Sequence, residues 1–201
     1  MSRPTEYQWV ITSTNYDADP AKFARWLRFD GVDDYLSLPY MGLYANGSAS
    51  VVVGMSEITK AYSTATISEG YSLNASPIYH FSRNNSGAGY QTYIRQNDGS
   101  KVSLSSTNLV YAASEVHVRS IIDSGSNLKA FKDNTSSVSN DYTRTGLVTL
   151  NNTTIGALIR TAITDFAQMN LYSLIIAKSA LTDAQRVKCE RYAASNAGVK
   201  L

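Results

Sequence analysis

The sequence predicts an all-β protein, a two-sheet antiparallel sandwich closed by a short C-terminal helix, and two observations carry this prediction. The first is residue usage: 14 Tyr and frequent Val, Ile, Ser and Thr, against five Glu and four Pro, suit pleated strands better than helices. The second is that turn-forming Gly, Asn and Asp residues recur at short spacing along the chain. Short strands separated by such turns are typical of β-sandwiches.

Alternating apolar residues predict two strands on either side of an acidic turn. Leu27 and Phe29 fall on one face of RWLRF, and Leu36 and Leu38 repeat that spacing in YLSLP. Two later segments, SVVV and YSLIIA, are apolar on both faces, which predicts inner strands that are covered on both sides. Including those two segments, the later predicted strands lie in residues 48–58, 76–83, 89–96, 101–106, 116–123, 127–133, 153–159 and 169–177.

One helix is predicted, in the segment SALTDAQRVKCERYAASNAG. Thr182 can cap its amino end while Gln185 reaches back to form a capping box, and Gly198 can end it. We expect this helix to pack on the edge of a sheet. The side chains expected to face the sheet are Val187, Cys189 and Tyr192, and those expected in solvent are Arg186, Lys188, Glu190 and Arg191.

Length and composition favour one globular domain over residues 25–201, preceded by an arm of residues 1–24. The arm contains Pro4 and Pro20 and little alternation, so we expect it to pack along the sandwich or to reach a neighbouring molecule. The opening MSRPTEYQWV has no apolar signal-peptide core, and no later segment is apolar enough to span a membrane. Synthesis in the cytoplasm without membrane insertion is therefore expected.

Charge and metal-binding residue types argue against several other classes of protein. The formal net charge is +2 and the sequence has no run of Lys or Arg, so a nucleic-acid partner is not expected. The single cysteine, Cys189, excludes an intrachain disulfide. His80 and His117 are the only histidines and lie in separate predicted strands, which argues against a zinc site.

Four segments together carry a resemblance to a known superfamily. They are LRFDGVDDYLSLP, SEVHVRSIIDSGSNLKAFKDNTSSV, TTIGALI and YSLIIAKSALTDAQRVKCERYAASNAG. These segments resemble the concanavalin A-like lectin/glucanase superfamily, most closely the laminin-G-like (LamG) modules of bacterial surface proteins and bacteriophage virion proteins. The resemblance spans residues 25–198 and implies a jelly-roll sandwich in which FDGVDDY is a hairpin element and a closing strand leads into the helix.

The acidic turn of Asp30, Asp33 and Asp34 admits two interpretations. In the first, which the resemblance implies, the turn is structural: Gly31 supplies a permissive backbone and the Asp side chains bond local amides. In the second, the three carboxylates help to bind calcium, because this hard cation takes several oxygen ligands from a flexible loop. No other cofactor is expected.

The sequence departs from the catalytic branch of the superfamily. Its glucanases carry two glutamates in the pattern Glu-x-Asp-x-x-Glu, so that a nucleophile and an acid/base flank the glycosidic bond. The glutamates of this chain have no partner at that spacing, and they are Glu6, Glu57, Glu69, Glu115 and Glu190. We therefore expect a protein that is not an enzyme.

A glycan site is the candidate for ligand recognition. The segment GYQTYIRQND can present Tyr93 and Arg95 on one strand face, with Asn97 and Asp98 at the strand end. An aromatic ring that stacks on a pyranose, flanked by hydrogen-bonding side chains, meets the physical requirement for sugar binding. Tyr also fills half-buried sheet positions and protein interfaces, so a structural role for Tyr93 stays open.

Two functions compete for a LamG-like chain without a catalytic pair. The resemblance implies a non-catalytic bacteriophage virion structural protein of the capsid decoration, head-fibre or tail-associated kind, located on the virion. Such a protein is expected to bind other virion proteins through residues 1–24 and to form a homo-oligomer. The alternative is a glycan-binding, lectin-like module that recognises a cell-surface polysaccharide.

Overall fold

The computed structural model of the protein describes residues 26–58, 64–83, 90–107 and 111–201. These residues form fourteen strands and one helix. The strands are β1 Leu27–Asp30, β2 Leu36–Leu38, β3 Ala49–Glu57, β4 Ala65–Gly70, β5 Ile78–Arg83, β6 Tyr90–Arg95, β7 Lys101–Thr107, β8 Val116–Asp123, β9 Asn127–Lys132, β10 Ser136–Asp141, β11 Asn152–Ile155, β12 Leu158–Ile159, β13 Ile163–Thr164 and β14 Gln168–Ala177, and the helix α1 is Asp183–Ala197.

Two six-stranded antiparallel sheets face each other. The first sheet has the strand order β1-β14-β3-β8-β9-β10, and the second has the order β2-β11-β4-β5-β6-β7. Apolar side chains from both sheets form one core, with Val53 and Ile121 from the first sheet and Ile67 and Tyr79 from the second. The predicted all-β sandwich with a C-terminal helix is therefore confirmed.

The two strands predicted to be covered on both faces, β3 and β14, lie side by side within the first sheet. All nine residues of β3 are buried, because Val51, Val53 and Met55 enter the core between the sheets while Val52 packs under the helix. Period-two alternation thus separates two apolar environments on one strand. The helix closes the outer face of the first sheet.

The acidic turn connects the two sheets, and the expected hairpin is wrong. Strand β1 pairs with β14 in the first sheet, whereas β2 pairs with β11 in the second. Gly31 allows the crossing, because its φ is +83° and a Cβ there would come within 2.9 Å of the Gln168 side chain. The Asp30 carboxylate accepts from the Val32 amide at 2.7 Å, so the predicted local bonding is present.

The segment predicted as one strand over residues 153–159 is broken in the middle. Gly156 has φ +83°, and a Cβ there would lie 2.5 Å from the Phe29 ring. The chain turns at this glycine, so β11 stays in the second sheet and β12 starts a separate hairpin with β13. Sequence alternation also missed β4 and β10, in which polar residues dominate.

Both ends of helix α1 are as predicted. Thr182 accepts from the Gln185 amide at 3.3 Å, and the Gln185 side chain accepts from the Thr182 amide at 2.9 Å. Gly198 ends the helix in the left-handed conformation. Among the described residues, this helix included, no helix is long and apolar enough to cross a membrane.

The predicted buried face of the helix is wrong in part. Cys189 does pack half-buried against the sheet, but Tyr192 is exposed, and Arg186 and Glu190 are buried. The two charges can be buried because Arg186 donates to Glu190 at 2.7 Å, and Glu190 also accepts from Ser120 of the sheet. The residues of the buried face are Arg186, Glu190, Ala193, Ala194 and Ala197.

The boundary predicted between an arm and the domain stays a prediction. Residues 1–24, which were assigned to the arm, lie outside the described residues.

Candidate functional site

The outer face of the second sheet differs from that of the first because a short hairpin covers only part of it. Strands β12 and β13 lie over β4, where a Cβ on Gly70 would come within 1.9 Å of the Ile159 carbonyl oxygen. Leu158 of the hairpin packs with Ala65 and Ile78 of the sheet beneath. These contacts therefore hold the hairpin in a fixed position on the sheet.

Two arginines meet at the edge of this hairpin. Arg95, at the end of β6, and Arg160, at the hairpin turn, each donate to the carbonyl oxygen of Ala75 at 2.6 Å. Arg95 also donates through Nε to the Ser76 carbonyl oxygen, and Arg160 donates to Thr164 at 3.3 Å. Both side chains are partly exposed. We call Arg95 and Arg160 the arginine pair.

The arginine pair is positioned chiefly by carbonyl oxygens. Among the residues that the structure describes, no carboxylate oxygen lies within 4.0 Å of either guanidinium. An arginine has five N–H donors in a planar fork, so bonding to carbonyl oxygens fixes its orientation without cancelling its charge. The pair therefore presents positive charge in a defined geometry.

The positive charges of the arginine pair shift the pKa values of the nearby His80 and Asp165. Burial, together with the charges of Arg160 and Arg95, lowers the pKa of His80 to about 3, so this histidine is neutral at physiological pH. Burial raises the pKa of Asp165, while the two arginines oppose that shift. Asp165 is half-buried. Its carboxylate weakens the electrostatic field of the arginine pair, although it forms no ion pair with either arginine among the described residues.

Of the four predicted glycan-binding residues, Arg95 belongs to this pair and two others lie close to it. Asn97 uses its side chain within the protein, donating to Thr149 Oγ1 at 2.9 Å and accepting from the Thr149 amide at 2.8 Å. Asp98 is exposed and accepts from the Ser100 amide, which lowers the pKa of the Asp98 carboxyl. Tyr93 lies in β6 opposite His80, and its side chain is outside the described part.

Arg160 was missed by the sequence analysis. The segment TTIGALI was interpreted as one strand, so the hairpin that carries Arg160 was not predicted. Gly156 in the middle of that segment was the available signal, because an isolated glycine in a strand pattern indicates a bend or a close backbone approach.

The three predicted calcium ligands lie together at the opposite end of the sandwich. One carboxylate oxygen from each of Asp30, Asp33 and Asp34 lies within 4.8 Å of the others, and all three residues are exposed. The Asp30 pKa is lowered chiefly by the hydrogen bond from the Val32 amide. These local bonds account for the turn without an ion, and calcium binding stays a prediction.

Two of the buried glutamates that the structure describes, Glu69 and Glu190, serve the fold. Glu69 is buried and accepts from the amides of Leu43 at 2.8 Å and Tyr44 at 3.0 Å, so it anchors the loop after β2. Burial raises the pKa of Glu69, and these hydrogen bonds oppose that shift. Glu190 is used by Arg186 under the helix, on the other sheet. The two carboxylates are thus committed to separate structural roles.

No family model matches the sequence, and no curated protein sequence matches it. Solved structures of the same fold do match it. One is the CBM40 domain of the Ruminococcus gnavus IT-sialidase bound to α2,3-sialyllactose, with a TM-score of 0.65 and 13% identity over 82% of this chain and 95% of that domain. At this identity the likeness establishes the fold, a jelly-roll, lectin-like β-sandwich.

Two longer proteins match over part of their length. A variant of the NanB sialidase from Streptococcus pneumoniae matches with a TM-score of 0.66 and 13% identity, covering 80% of this chain and 26% of the sialidase. The binding domain of botulinum neurotoxin DC in complex with SialylT matches with a TM-score of 0.61 and 11% identity, covering 94% of this chain and 46% of that domain. This chain thus spans about a quarter of the sialidase and about half of the toxin binding domain, and these likenesses establish the fold alone.

Proposed function

We propose that this protein is a non-catalytic carbohydrate-binding module that binds an acidic glycan at the arginine pair. The observation that carries the proposal is that Arg95 and Arg160 are both held by the Ala75 carbonyl oxygen without a carboxylate partner in the described residues. A sugar carboxylate supplies the missing negative charge and two oxygen acceptors, which match the fork of a guanidinium.

The fold likenesses support this choice of ligand. The CBM40 domain was solved with sialyllactose, and the toxin binding domain was solved with a sialyl ligand. Sialyl sugars carry a carboxylate, so the ligand class of these proteins agrees with the charge of the arginine pair.

Calorimetric titration with 3′-sialyllactose and with lactose tests the proposal, because the two sugars differ by the acidic residue. We expect measurable binding of 3′-sialyllactose and at least tenfold weaker binding of lactose. Replacing both arginines, as R95A/R160A, is expected to weaken 3′-sialyllactose binding by about tenfold or more, since two charge-assisted contacts are lost. Equal binding of both sugars would overturn the proposal.

A matched control separates recognition from folding. Arg191 is exposed on the helix, on the other side of the molecule, so R191A is expected to leave glycan binding and stability unchanged. Because the arginine pair also holds the loop at Ala75, the conservative R95K/R160K variant is needed as well. It keeps the charge but loses the planar fork, and intermediate affinity is expected at an unchanged melting temperature.

The virion structural function stays a prediction. It rests on the LamG-like resemblance of residues 25–198 and on an assembly role for residues 1–24, which lie outside the described residues. The homo-oligomer and the location on a virion are predictions of the same kind. The two functions are compatible, because a virion surface protein can also bind a cell-surface glycan.

A further inference from the structure

Two leucines project from adjacent loops at the end of the sandwich that carries the arginine pair. Leu73 is 76% exposed and Leu147 is 68% exposed, the two highest exposures among the large aliphatic residues described apart from Val32. Leu73 lies at the corner of a turn closed by the Asn74 amide and the Tyr71 carbonyl oxygen at 3.2 Å. Turn corners favour Gly, Asn, Asp and Ser, so the turn itself does not require a leucine.

Asn97 ties the two leucine loops together. Its amide donates to the Leu147 carbonyl oxygen at 2.9 Å, and its own carbonyl oxygen accepts from the Asn74 side chain at 3.3 Å. The backbones on either side are therefore fixed to one residue while both leucine side chains point into solvent. We call the loops of residues 71–77, 96–100 and 146–151 the leucine end.

Positive charge surrounds the leucine end. Arg95 and Arg160 bind Ala75 within it, and Lys101, exposed, is the strand partner of Arg95 on β7. Asp98 is the exposed acid in the same turn, and it accepts from the Ser100 amide. Arg95, Arg160 and Lys101 outnumber the exposed Asp98 and the half-buried Asp165, which leaves this end positive, whereas the opposite end carries the acidic turn of Asp30, Asp33 and Asp34.

We propose that the leucine end docks on the surface of a lipid bilayer that contains anionic headgroups. Two separate apolar side chains, held rigidly and flanked by cations, suit the boundary between headgroups and acyl chains, where apolar burial and attraction to anionic lipid act together. A protein partner would instead need a contiguous complementary surface. The docking is peripheral and involves side chains alone. This docking places the arginine pair beside the membrane, so the module binds glycans that are carried on the membrane surface.

Vesicle flotation tests this proposal independently of the glycan. The intact protein is mixed with vesicles of phosphatidylcholine alone, or of phosphatidylcholine with phosphatidylserine, neither containing glycolipid. We expect binding to the vesicles with phosphatidylserine, and at least a tenfold loss of that binding in L73S/L147S, because both apolar anchors are gone. The matched control is L201S, which removes an exposed leucine at the C-terminus and is expected to bind as the parent does.

A second measurement reports the position of the loop itself. Tryptophan introduced as L147W is expected to be quenched by lipids brominated on their acyl chains, whereas tryptophan introduced as L201W is not. Absence of vesicle binding, or equal binding by L73S/L147S and the parent, would overturn the proposal. Titration of L73S/L147S with 3′-sialyllactose keeps the two proposals distinct. Unchanged sugar affinity together with lost vesicle binding would support both proposals. Lost sugar affinity in the control variants R191A and L201S would count against the glycan site alone.

Discussion

On the outer face of the first sheet, Arg186 lies under the helix beside Glu190, whereas on the outer face of the second sheet Arg95 and Arg160 bind only neutral oxygen atoms in the described residues. Arg186 also stacks over the Phe131 ring at 3.9 Å. The first arrangement satisfies a buried charge and closes a surface. The second leaves two partly exposed positive charges without a carboxylate partner in the described residues, which is the arrangement expected of a site for an acidic ligand.

The largest expected effect comes from breaking the buried pair under the helix. Changing Glu190 to Gln leaves the buried Arg186 charge with only the exposed Asp183 carboxylate, 3.6 Å from its Nε, as a counter-charge, which is expected to lower the free energy of unfolding by about 3 kcal/mol. Urea denaturation measures this loss. The exposed neighbour gives the control, because R191A is expected to change stability by less than about 0.5 kcal/mol. A loss below about 1 kcal/mol in E190Q would show that the pair does not hold the helix.

Acidification is expected to destabilise both regions of the sandwich through the two buried histidines. Burial, with the charges of nearby arginines, lowers the pKa of His80 and of His117 to about 3. The unfolded chain therefore binds more protons than the folded chain below pH 6.5. The contribution of the two neutral histidines to the free energy of unfolding is fully present above that pH and is lost as the pH falls towards 3. Between pH 7.5 and 5.5 the two histidines together are expected to remove about 3 kcal/mol.

Thermal unfolding across this pH range measures the loss, and the variant H117Q divides it between the two regions. His117 lies in the core between the sheets, so H117Q is expected to halve the pH slope and to leave glycan binding intact. A slope that is the same in H117Q and in the parent would contradict the assignment.

A smaller effect is expected where the hairpin sits on the second sheet. Alanine at Gly70 forces the new Cβ towards the Ile159 carbonyl oxygen, which cannot move without lifting the hairpin. We expect a loss of about 1–3 kcal/mol in stability together with weaker sugar binding, because Arg160 moves with the hairpin. G47A is the control for the binding measurement, since nothing lies within 4 Å of a Cβ there and its cost is backbone strain alone, at φ +85°. Unchanged sugar affinity in G70A would indicate that Arg160 does not contribute to the sugar-binding site.

The smallest effect is electrostatic and raises affinity. Asp165 weakens the field of the arginine pair, so D165N is expected to bind 3′-sialyllactose about threefold to tenfold more tightly than the parent. Asparagine tolerates the left-handed backbone of this residue, whose φ is +57°. D33N, at the opposite end of the molecule, is the charge-matched control. Unchanged affinity in D165N would indicate that the acid does not act on the ligand.

The parts of the fold that follow local rules were predictable from the sequence. Alternation in RWLRF identified β1, and the Thr182 to Gln185 box with Gly198 defined both ends of the helix. These signals are local because side-chain period and capping depend on residues a few positions apart.

The parts that depend on distant partners were not predictable. Glu69 looks like a solvent-exposed residue in ATISEG until the amides of Leu43 and Tyr44 satisfy it, so β4 was missed. Glu190 and Arg186 read as a solvated helix face until Ser120 and Phe131 of the sheet are placed beneath them. For the site, Arg95 was identified from its strand, whereas Arg160 required the turn at Gly156, which brings the hairpin back over the sheet.

The central claim is that the arginine pair, on the outer face of the second sheet, binds an acidic glycan. Titration of isotope-labelled protein with 3′-sialyllactose, followed by NMR of the backbone amides and arginine Nε–H groups, tests it most directly. We expect the largest shifts at Arg95, Arg160 and the amides around Ala75, with Arg186 and Arg191 unmoved. Shifts confined to the helix side, or no shifts with sugar in excess, would contradict the account.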